Sequence, residues 1–186
     1  MTTAKAGIDS LPVKGEADYI IGESYFSLGQ YEKAQMQYEA FLKDYPGHRL
    51  TGEVRYALAW TLFKEKQFDQ AAEAFERVSS ADDEMGQAAL YRKGIAEKLG
   101  GKRQAAMQTF ARLISKDVAG GYADNALYDS GLMLFEDKKI SEAKSYFAKV
   151  VETFPTSDVL ADASMMLGEC LAASSSYDAA RVAYEK

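Results

Sequence analysis

The sequence predicts an all-α protein, an α-solenoid of about five stacked antiparallel helix pairs, and three observations predict it. Helix-forming residues are plentiful, and the 186 residues include only three prolines. A pattern of small and aromatic residues recurs at offsets of 37, 35, 37 and 37 residues, a period typical of helical-hairpin arrays. Apolar residues make up 47% and charged residues 27% of the chain, which is the balance of a folded protein.

Small residues hold fixed positions in both helices of each predicted unit. The first helix carries Gly22, Ala59, Gly94, Gly131 and Gly168. The second helix carries Ala34, Ala71, Ala106, Ala143 and Ala180, followed four residues later by Tyr38, Phe75, Phe110, Phe147 and Tyr184. Small residues let two helices approach closely, and we expect each aromatic ring to fill the space against the next unit.

An apolar residue also opens the second helix in four of the five units, as Tyr31, Phe68, Ile140 and Tyr177. The third unit has Arg103 at this position. We therefore expect looser packing or an exposed side-chain stem there.

These residues, with Pro46 and Pro155 closing second helices, resemble the tetratricopeptide repeat family over about residues 11–186. The 37-residue spacing and the segments KDYPGHRLTGEVRYALA and ETFPTSDVLADASMMLG resemble a bacterial variant found in outer-membrane assembly lipoproteins and the Tol–Pal coordinator. The resemblance implies a right-handed superhelix, a protein-binding scaffold and a periplasmic location.

The predicted organisation is an N-terminal tail, residues 1–10, and one repeat domain, residues 11–186. Its repeats lie near 11–48, 49–81, 82–120, 121–157 and 158–186. First helices are expected near 11–28, 49–65, 82–99, 121–137 and 158–173, and second helices near 31–44, 68–78, 102–115, 140–153 and 177–186. Ser10, Asp82 and Ser157 stand where helix N-caps belong.

The fifth repeat stops inside its second helix, at Lys186. End repeats normally carry a polar cap, because they have no neighbour to bury their apolar face. We expect that the chain is cut from a longer protein, or that this end packs against another copy.

No catalytic residue, metal site or cofactor is predicted. The one histidine, His48, is expected as a solvated turn residue, and the one cysteine, Cys170, as a small packed thiol. Together they cannot form a Ser–His–Asp or Cys–His system with alternatives left over. The acidic run at residues 82–84 is explained by a helix start, where the dipole favours negative charge.

The charge pattern narrows the kind of partner. A net charge of −6 argues against a general nucleic-acid binder, and no apolar stretch approaches the roughly 18 residues of a membrane span. Residues 87–123 nevertheless hold seven basic and two acidic side chains. The basic island within them is Arg92, Lys93, Lys98, Lys102 and Arg103. It could receive an acidic partner or contact acidic units of another copy, and a solvated face remains an alternative.

In tetratricopeptide repeat proteins the first helices line the concave face, so the resemblance directs attention to their repeated residues. Tyrosine recurs at one position as Tyr19, Tyr56, Tyr91 and Tyr128, which we call the tyrosine ladder. The predicted partner-binding residues are this ladder with Trp60, Ile95 and Leu132. Amphipathic rings suit binding hot spots, but the same rings could simply pack helix against helix. Phe26, Phe63 and Phe135 are expected in the core.

The predicted function is a protein–protein interaction scaffold that binds a protein or extended peptide along an aromatic groove, with a role in bacterial envelope assembly suggested by the resemblance. The asparagine and lysine clamp of chaperone-tail receptors is absent, since the only asparagine is Asn125, outside the matching positions. Two alternatives stay open. One is a structural module that self-associates through the unfinished C-terminal repeat, and the other is the targeting domain of a larger enzyme.

Overall fold

A computed structural model describes residues 11–79, 83–116 and 121–184 of the chain. These residues form ten α-helices and no strand, which confirms the all-α prediction. The helices are α1 (Leu11–Ser27), α2 (Tyr31–Asp44), α3 (Thr51–Lys64), α4 (Phe68–Val78), α5 (Glu84–Leu99), α6 (Arg103–Lys116), α7 (Ala123–Glu136), α8 (Ile140–Thr153), α9 (Leu160–Ala173) and α10 (Tyr177–Tyr184).

Each first helix ends in the same way, with a residue in the left-handed region one position after its C-cap. These residues are Gly29, Lys66, Gly101, Lys138 and Ser175, with φ between 59° and 78°. At the end of α1 the amide of Gly29 donates to Phe26 O and that of Gln30 to Tyr25 O. This is the Schellman pattern, which satisfies the last carbonyls and turns the chain sharply. Glycine favours this conformation, whereas the equivalent lysines and serine carry no sequence signal for it.

The longer loops after α2 and α8 share one hydrogen-bond pattern. The side chain of His48 accepts from the amide of Leu50 through Nδ1, and that of Ser157 accepts from the amide of Val159, each at 3.2 Å. Both residues therefore stabilise turns before the next first helix. The expectation that Ser157 caps α9 was wrong, because α9 begins three residues later, with Val159 as its N-cap.

His48 is not a solvated turn residue, contrary to the sequence-based expectation. Its ring lies edge-on to Phe41, with 5.3 Å between centroids, and contacts Tyr45. A Cβ atom added at Gly15 of α1 would lie 3.1 Å from the imidazole. The histidine thus fills space between α1 and the loop that follows α2.

The start of α5 is capped by Asp83, whose Oδ1 accepts from the amide of Gly86 at 2.7 Å. Asp82, the cap predicted for this helix, and Ser10, the cap predicted for α1, lie outside the described residues. The interpretation of the acidic run as a helix start is confirmed through Asp83.

The chain divides into two compact units, one ending at Gly101 and the other beginning at Lys102. In the first unit, consecutive helices from α1 to α5 pack on one another, and α1 also reaches α3. In the second unit, α6 to α10 pack in the same consecutive manner. The division falls inside the third predicted repeat.

Within single hairpins, the recurrent spacing places an aromatic ring directly on a glycine. A Cβ atom added at Gly22 would lie 2.5 Å from the ring of Tyr38, and one at Gly131 would lie 2.7 Å from that of Phe147. Both rings are fully buried. The apolar clusters around them also include Val54 and Ala163 of the following first helices. Each ring therefore packs within its own hairpin as well as against the next one.

Of the two alternatives predicted for Arg103, an exposed side chain is observed in part, with 37% of its surface accessible, and its guanidinium is bound to the protein. Its guanidinium donates to Glu136 at 2.9 Å, to Asp137 at 3.0 Å and to the carbonyl oxygen of Met133 at 2.7 Å. A cation at the C-terminus of α7 is favoured by the helix dipole. The arginine replaces apolar packing with charge-assisted hydrogen bonds in the second unit.

Candidate functional site

A groove of about 480 Å³ lies across the first helices of the first unit. Three residues of α1, five of α3 and one of α5 form its walls. They are Tyr19, Glu23, Phe26, Glu53, Tyr56, Ala57, Trp60, Lys64 and Met85. Three of the predicted partner-binding residues, Tyr19, Tyr56 and Trp60, therefore meet in one concave site.

The tyrosines of this groove are half-buried because each ring leans on its own hairpin. Tyr19 lies against Tyr38 with 6.4 Å between ring centroids, and Tyr56 lies edge-on to Phe75 at 5.8 Å. Groove and core were opposed alternatives for the ladder in the sequence analysis. Here the same rings pack on the hairpin core and line the groove.

Trp60 forms the centre of the aromatic wall. Its ring is edge-on to Phe63 at 5.3 Å and to Phe75 at 6.1 Å. Two cations lie over it, Arg92 of α5 at 4.8 Å and Lys64 at 5.6 Å from the centroid. Cation–π contacts of this kind hold both the ring and the cations in place.

The α1 end of the groove is acidic. The hydroxyl of Tyr38 donates to Glu23 at 2.5 Å, so a hydrogen bond from α2 holds this carboxylate in place. Burial raises the pKa of the Tyr19 hydroxyl, and the negative charges of Glu23 and Glu53 raise it further. Two carboxylates thus lie near one phenol, inside a site walled by aromatic rings.

The remaining ladder residues have different surroundings. Tyr91 is buried, with 9% of its surface exposed, and Ile95 is half-buried on the same helix, α5. In the second unit, Tyr128 packs on Phe147 with 5.8 Å between centroids, and Leu132 packs against the same apolar cluster. Burial raises the pKa of Tyr128, and Asp162 and Asp129 add to the rise.

The members of the predicted basic island are individually engaged. Lys93 forms ion pairs with Glu76 at 2.8 Å and with Glu97 at 3.3 Å. Arg92 lies on Trp60, and Arg103 is bound to the end of α7 as described above. Lys98 and Lys102 also have interaction partners. The positive charges of Lys93 and Arg103 are therefore paired with carboxylates of this chain.

Phe26 and Phe63 pack as expected from the sequence, each edge-on to the first residue of the next helix, Tyr31 and Phe68. Phe135 packs against the apolar cluster of the second unit. Phe26 differs from the other two because it also lines the groove.

Sequence reasoning missed Glu53 and Met85 as groove residues. Glu53 lies three residues before Tyr56, close to one helical turn, so the spacing could have placed it on the same face of α3. Met85 lies at the start of α5, at a position whose residue type does not recur between repeats, so the sequence period does not indicate it.

The one cysteine of the chain lies in the core. Cys170 is fully buried, as predicted, and burial raises the pKa of its thiol.

Among residues 11–79, 83–116 and 121–184 no cluster of three metal-binding side chains occurs. Over the same ranges, none of the helices is both long and apolar enough to span a bilayer.

Comparison with known proteins gives a consistent family assignment. Three family models, each described as tetratricopeptide repeat, match residues 15–84, 56–123 and 125–157. No curated protein sequence matches the chain significantly.

Solved structures share the fold at low sequence identity. MamA from Desulfovibrio magneticus RS-1 is 16% identical with a TM-score of 0.69, and the match covers 92% of each chain. Pseudomonas aeruginosa PilF is 20% identical with a TM-score of 0.68, over 92% of this chain and 73% of that one. BtubC from P. vanneervenii is 13% identical with a TM-score of 0.72, over 91% and 76%.

At these identities the structural matches speak for the fold, while the family models span most of the sequence. Both agree with the recurrent hairpins, the glycine–aromatic contacts and the repeated Schellman turns described above. The chain belongs to the tetratricopeptide repeat family.

Proposed function

We propose that this protein is an interaction scaffold that binds an extended segment of a partner protein in the groove of its first unit. The family membership supports a scaffold rather than an enzyme. The observation that carries the proposal is the convergence of Tyr19, Tyr56 and Trp60 on one concave surface. Aromatic side chains provide large contact areas at low entropic cost and dominate binding energy in such sites.

The half-buried state of the rings fits this role. Packing against Tyr38 and Phe75 holds Tyr19 and Tyr56 in place before a ligand arrives. A surface that is already ordered loses little entropy on binding. The carboxylates and the two cations on Trp60 add polar groups that can fix the orientation of a bound chain.

A selection of random dodecapeptides displayed on phage tests the proposal. Peptides selected on the intact protein should bind Trp60→Ala and Tyr56→Ala at least tenfold more weakly, because hot-spot truncation typically costs about 2 kcal/mol or more. Tyr25→Ala is the matched control. It removes a half-buried tyrosine of the same unit that does not line the groove.

All three variants should keep their helical circular dichroism signal. Selected peptides that bind Tyr56→Ala and Trp60→Ala as tightly as the parent would place the binding surface elsewhere. The envelope role and periplasmic location inferred from the loop segments stay predictions.

Self-association is a second candidate, favoured by exposed apolar side chains on α10. Tyr177 is 70% exposed, Val182 51% and Tyr184 48%. If this face mediates assembly, the mass from light scattering should rise with protein concentration, and Val182→Glu should restore a constant mass. A constant monomer mass for the unmodified protein would exclude this candidate.

A further inference from the structure

The charge of the groove specifies the chemistry of its occupant. Glu53 lines the groove, and its carboxylate forms no hydrogen bond or ion pair with the described residues. Glu23 accepts from Tyr38 through Oε1 alone. Both carboxylates line the groove together with Tyr19, and their charges raise the pKa of the Tyr19 hydroxyl further than burial alone does. Among the described residues, no cation forms an ion pair with either carboxylate, so Glu23 and Glu53 give this part of the groove a negative charge.

Two cations, Lys64 and Arg92, lie over the ring of Trp60. Among the described residues, no cation lies over the ring of Tyr19 or of Tyr56. A tyrosine ring attracts a cation through its π face, and the attraction is stronger when the cation is desolvated. Two carboxylates and two half-buried tyrosine rings that line one concavity match a positively charged side chain.

We propose that the part of the groove between Glu23, Glu53 and the two tyrosines receives a lysine or arginine side chain of the bound protein segment. Glu53 and Glu23 are its carboxylate partners, and the rings of Tyr19 and Tyr56 are its walls. The inference rests on the proposed function, and it specifies which peptides the groove selects. Complementary charge of this kind gives specificity and sets the register of the bound chain.

The dodecapeptide library also tests this inference. Peptides that depend on Trp60 should be enriched in lysine or arginine relative to the unselected library, and selection on Glu53→Gln should lose the enrichment. Glu73→Gln is the matched control. It removes one negative charge from an exposed position of α4 in the same unit. Enrichment should persist on it, which separates a local effect from attraction to an acidic protein.

A double substitution then identifies the contact. In a selected peptide, replacing the enriched lysine with norleucine keeps the length of the stem and removes the charge. This change should weaken binding to the unmodified protein about tenfold, and it should leave binding to Glu53→Gln nearly unchanged.

The outcomes separate the two proposals. Trp60-dependent peptides without basic enrichment, or with acidic enrichment, would overturn this inference and leave the groove as the binding site. Equal binding of lysine and norleucine peptides to the unmodified protein would overturn it as well. If no selected peptide depends on Tyr56 or Trp60, the proposed function itself fails, and this inference falls with it.

Discussion

At the scale of single residues, one pairing determines whether a position on the first helix is polar or apolar. The residue after the recurrent small position is glutamate where the second helix carries tyrosine. Tyr38 donates to Glu23, and Tyr184 donates to Glu169 at 3.1 Å. Where the second helix carries phenylalanine, as at Phe75 and Phe147, the same position holds Trp60 or Leu132. The hydroxyl and the carboxylate therefore occur as a set.

This pairing predicts strong coupling between Tyr38 and Glu23. Tyr38→Phe leaves the carboxylate without its donor, and Glu23→Leu leaves a buried hydroxyl unpaired, so each should cost about 1–3 kcal/mol of unfolding free energy. The double variant reproduces the Phe147–Leu132 combination and should cost at least about 1 kcal/mol less than the sum. Urea unfolding measures all four proteins. Additive costs would show that the hydrogen bond contributes nothing.

The same tyrosine predicts sensitivity to alkaline pH. Burial, with the hydrogen bond and charge of Glu23, raises the pKa of Tyr38 well above its ordinary value. A raised pKa means that the folded state favours the neutral phenol. This stability is complete below the unfolded pKa of about 10 and is lost as pH rises above it.

Tyr38→Phe should therefore lose less stability than the parent between pH 8 and pH 10.5, as measured by urea midpoints. Tyr25→Phe, which removes the hydroxyl of another tyrosine of the same unit, is the control. Equal losses in the parent and Tyr38→Phe would contradict the assignment.

At the scale of elements, the first helices end in five equivalent left-handed residues, but only two of them are glycines. Lys66, Lys138 and Ser175 adopt φ values of 61°, 62° and 59°. An L-residue with a side chain is strained in this conformation by about 1–2 kcal/mol. The hairpin geometry overrides the local preference because the Schellman bonds require the turn.

Lys138→Gly should therefore stabilise the protein by about 0.5–1 kcal/mol, after the greater freedom of glycine in the unfolded chain is subtracted. Thermal unfolding measures the change. Lys139→Gly is the control, since this neighbour has φ of −85° and gains nothing from glycine. A loss of stability in Lys138→Gly would contradict the turn assignment.

Helix positions could be predicted from the sequence because small and aromatic residues recur with one period. Bounds of α2, α4 and α8 agree with the prediction exactly at both ends. Features that depend on a single contact could not be predicted. The side chain of Arg103 binds a helix end that lies 30 residues later, and the imidazole of His48 fills a gap beside Gly15. Neither contact has a periodic signature.

The candidate site was predicted in part for the same reason. Tyr19, Tyr56 and Trp60 occupy equivalent or neighbouring positions of the repeat, so the period predicts that they lie on one face. Burial of Tyr91 depends on the particular neighbours of α5 and became apparent only from the packed helices. Glu53 was missed because it does not recur between repeats, although its spacing from Tyr56 places it on the same face of α3.

At the scale of the whole molecule, the groove belongs entirely to the first compact unit. Helices α1 to α5 supply its walls and the apolar clusters beneath them. A fragment of residues 1–101 should therefore fold alone and keep the groove. The fragment should keep a helical circular dichroism signal. The emission maximum of Trp60 in the fragment should be that of a packed indole. An unfolded fragment, or a fully solvated indole, would contradict this.

Trp60 is the only tryptophan in the chain, so its indole N–H gives one assignable resonance inside the groove. The most direct test of the central claim, that this groove binds a protein segment, is a titration of the full chain with a selected dodecapeptide while this resonance is followed. We predict a saturable shift whose dissociation constant equals that of the binding measured independently. Tyr25→Ala should keep this dissociation constant, and Tyr56→Ala should raise it at least tenfold. Saturation of binding with no movement of the Trp60 resonance would contradict the account.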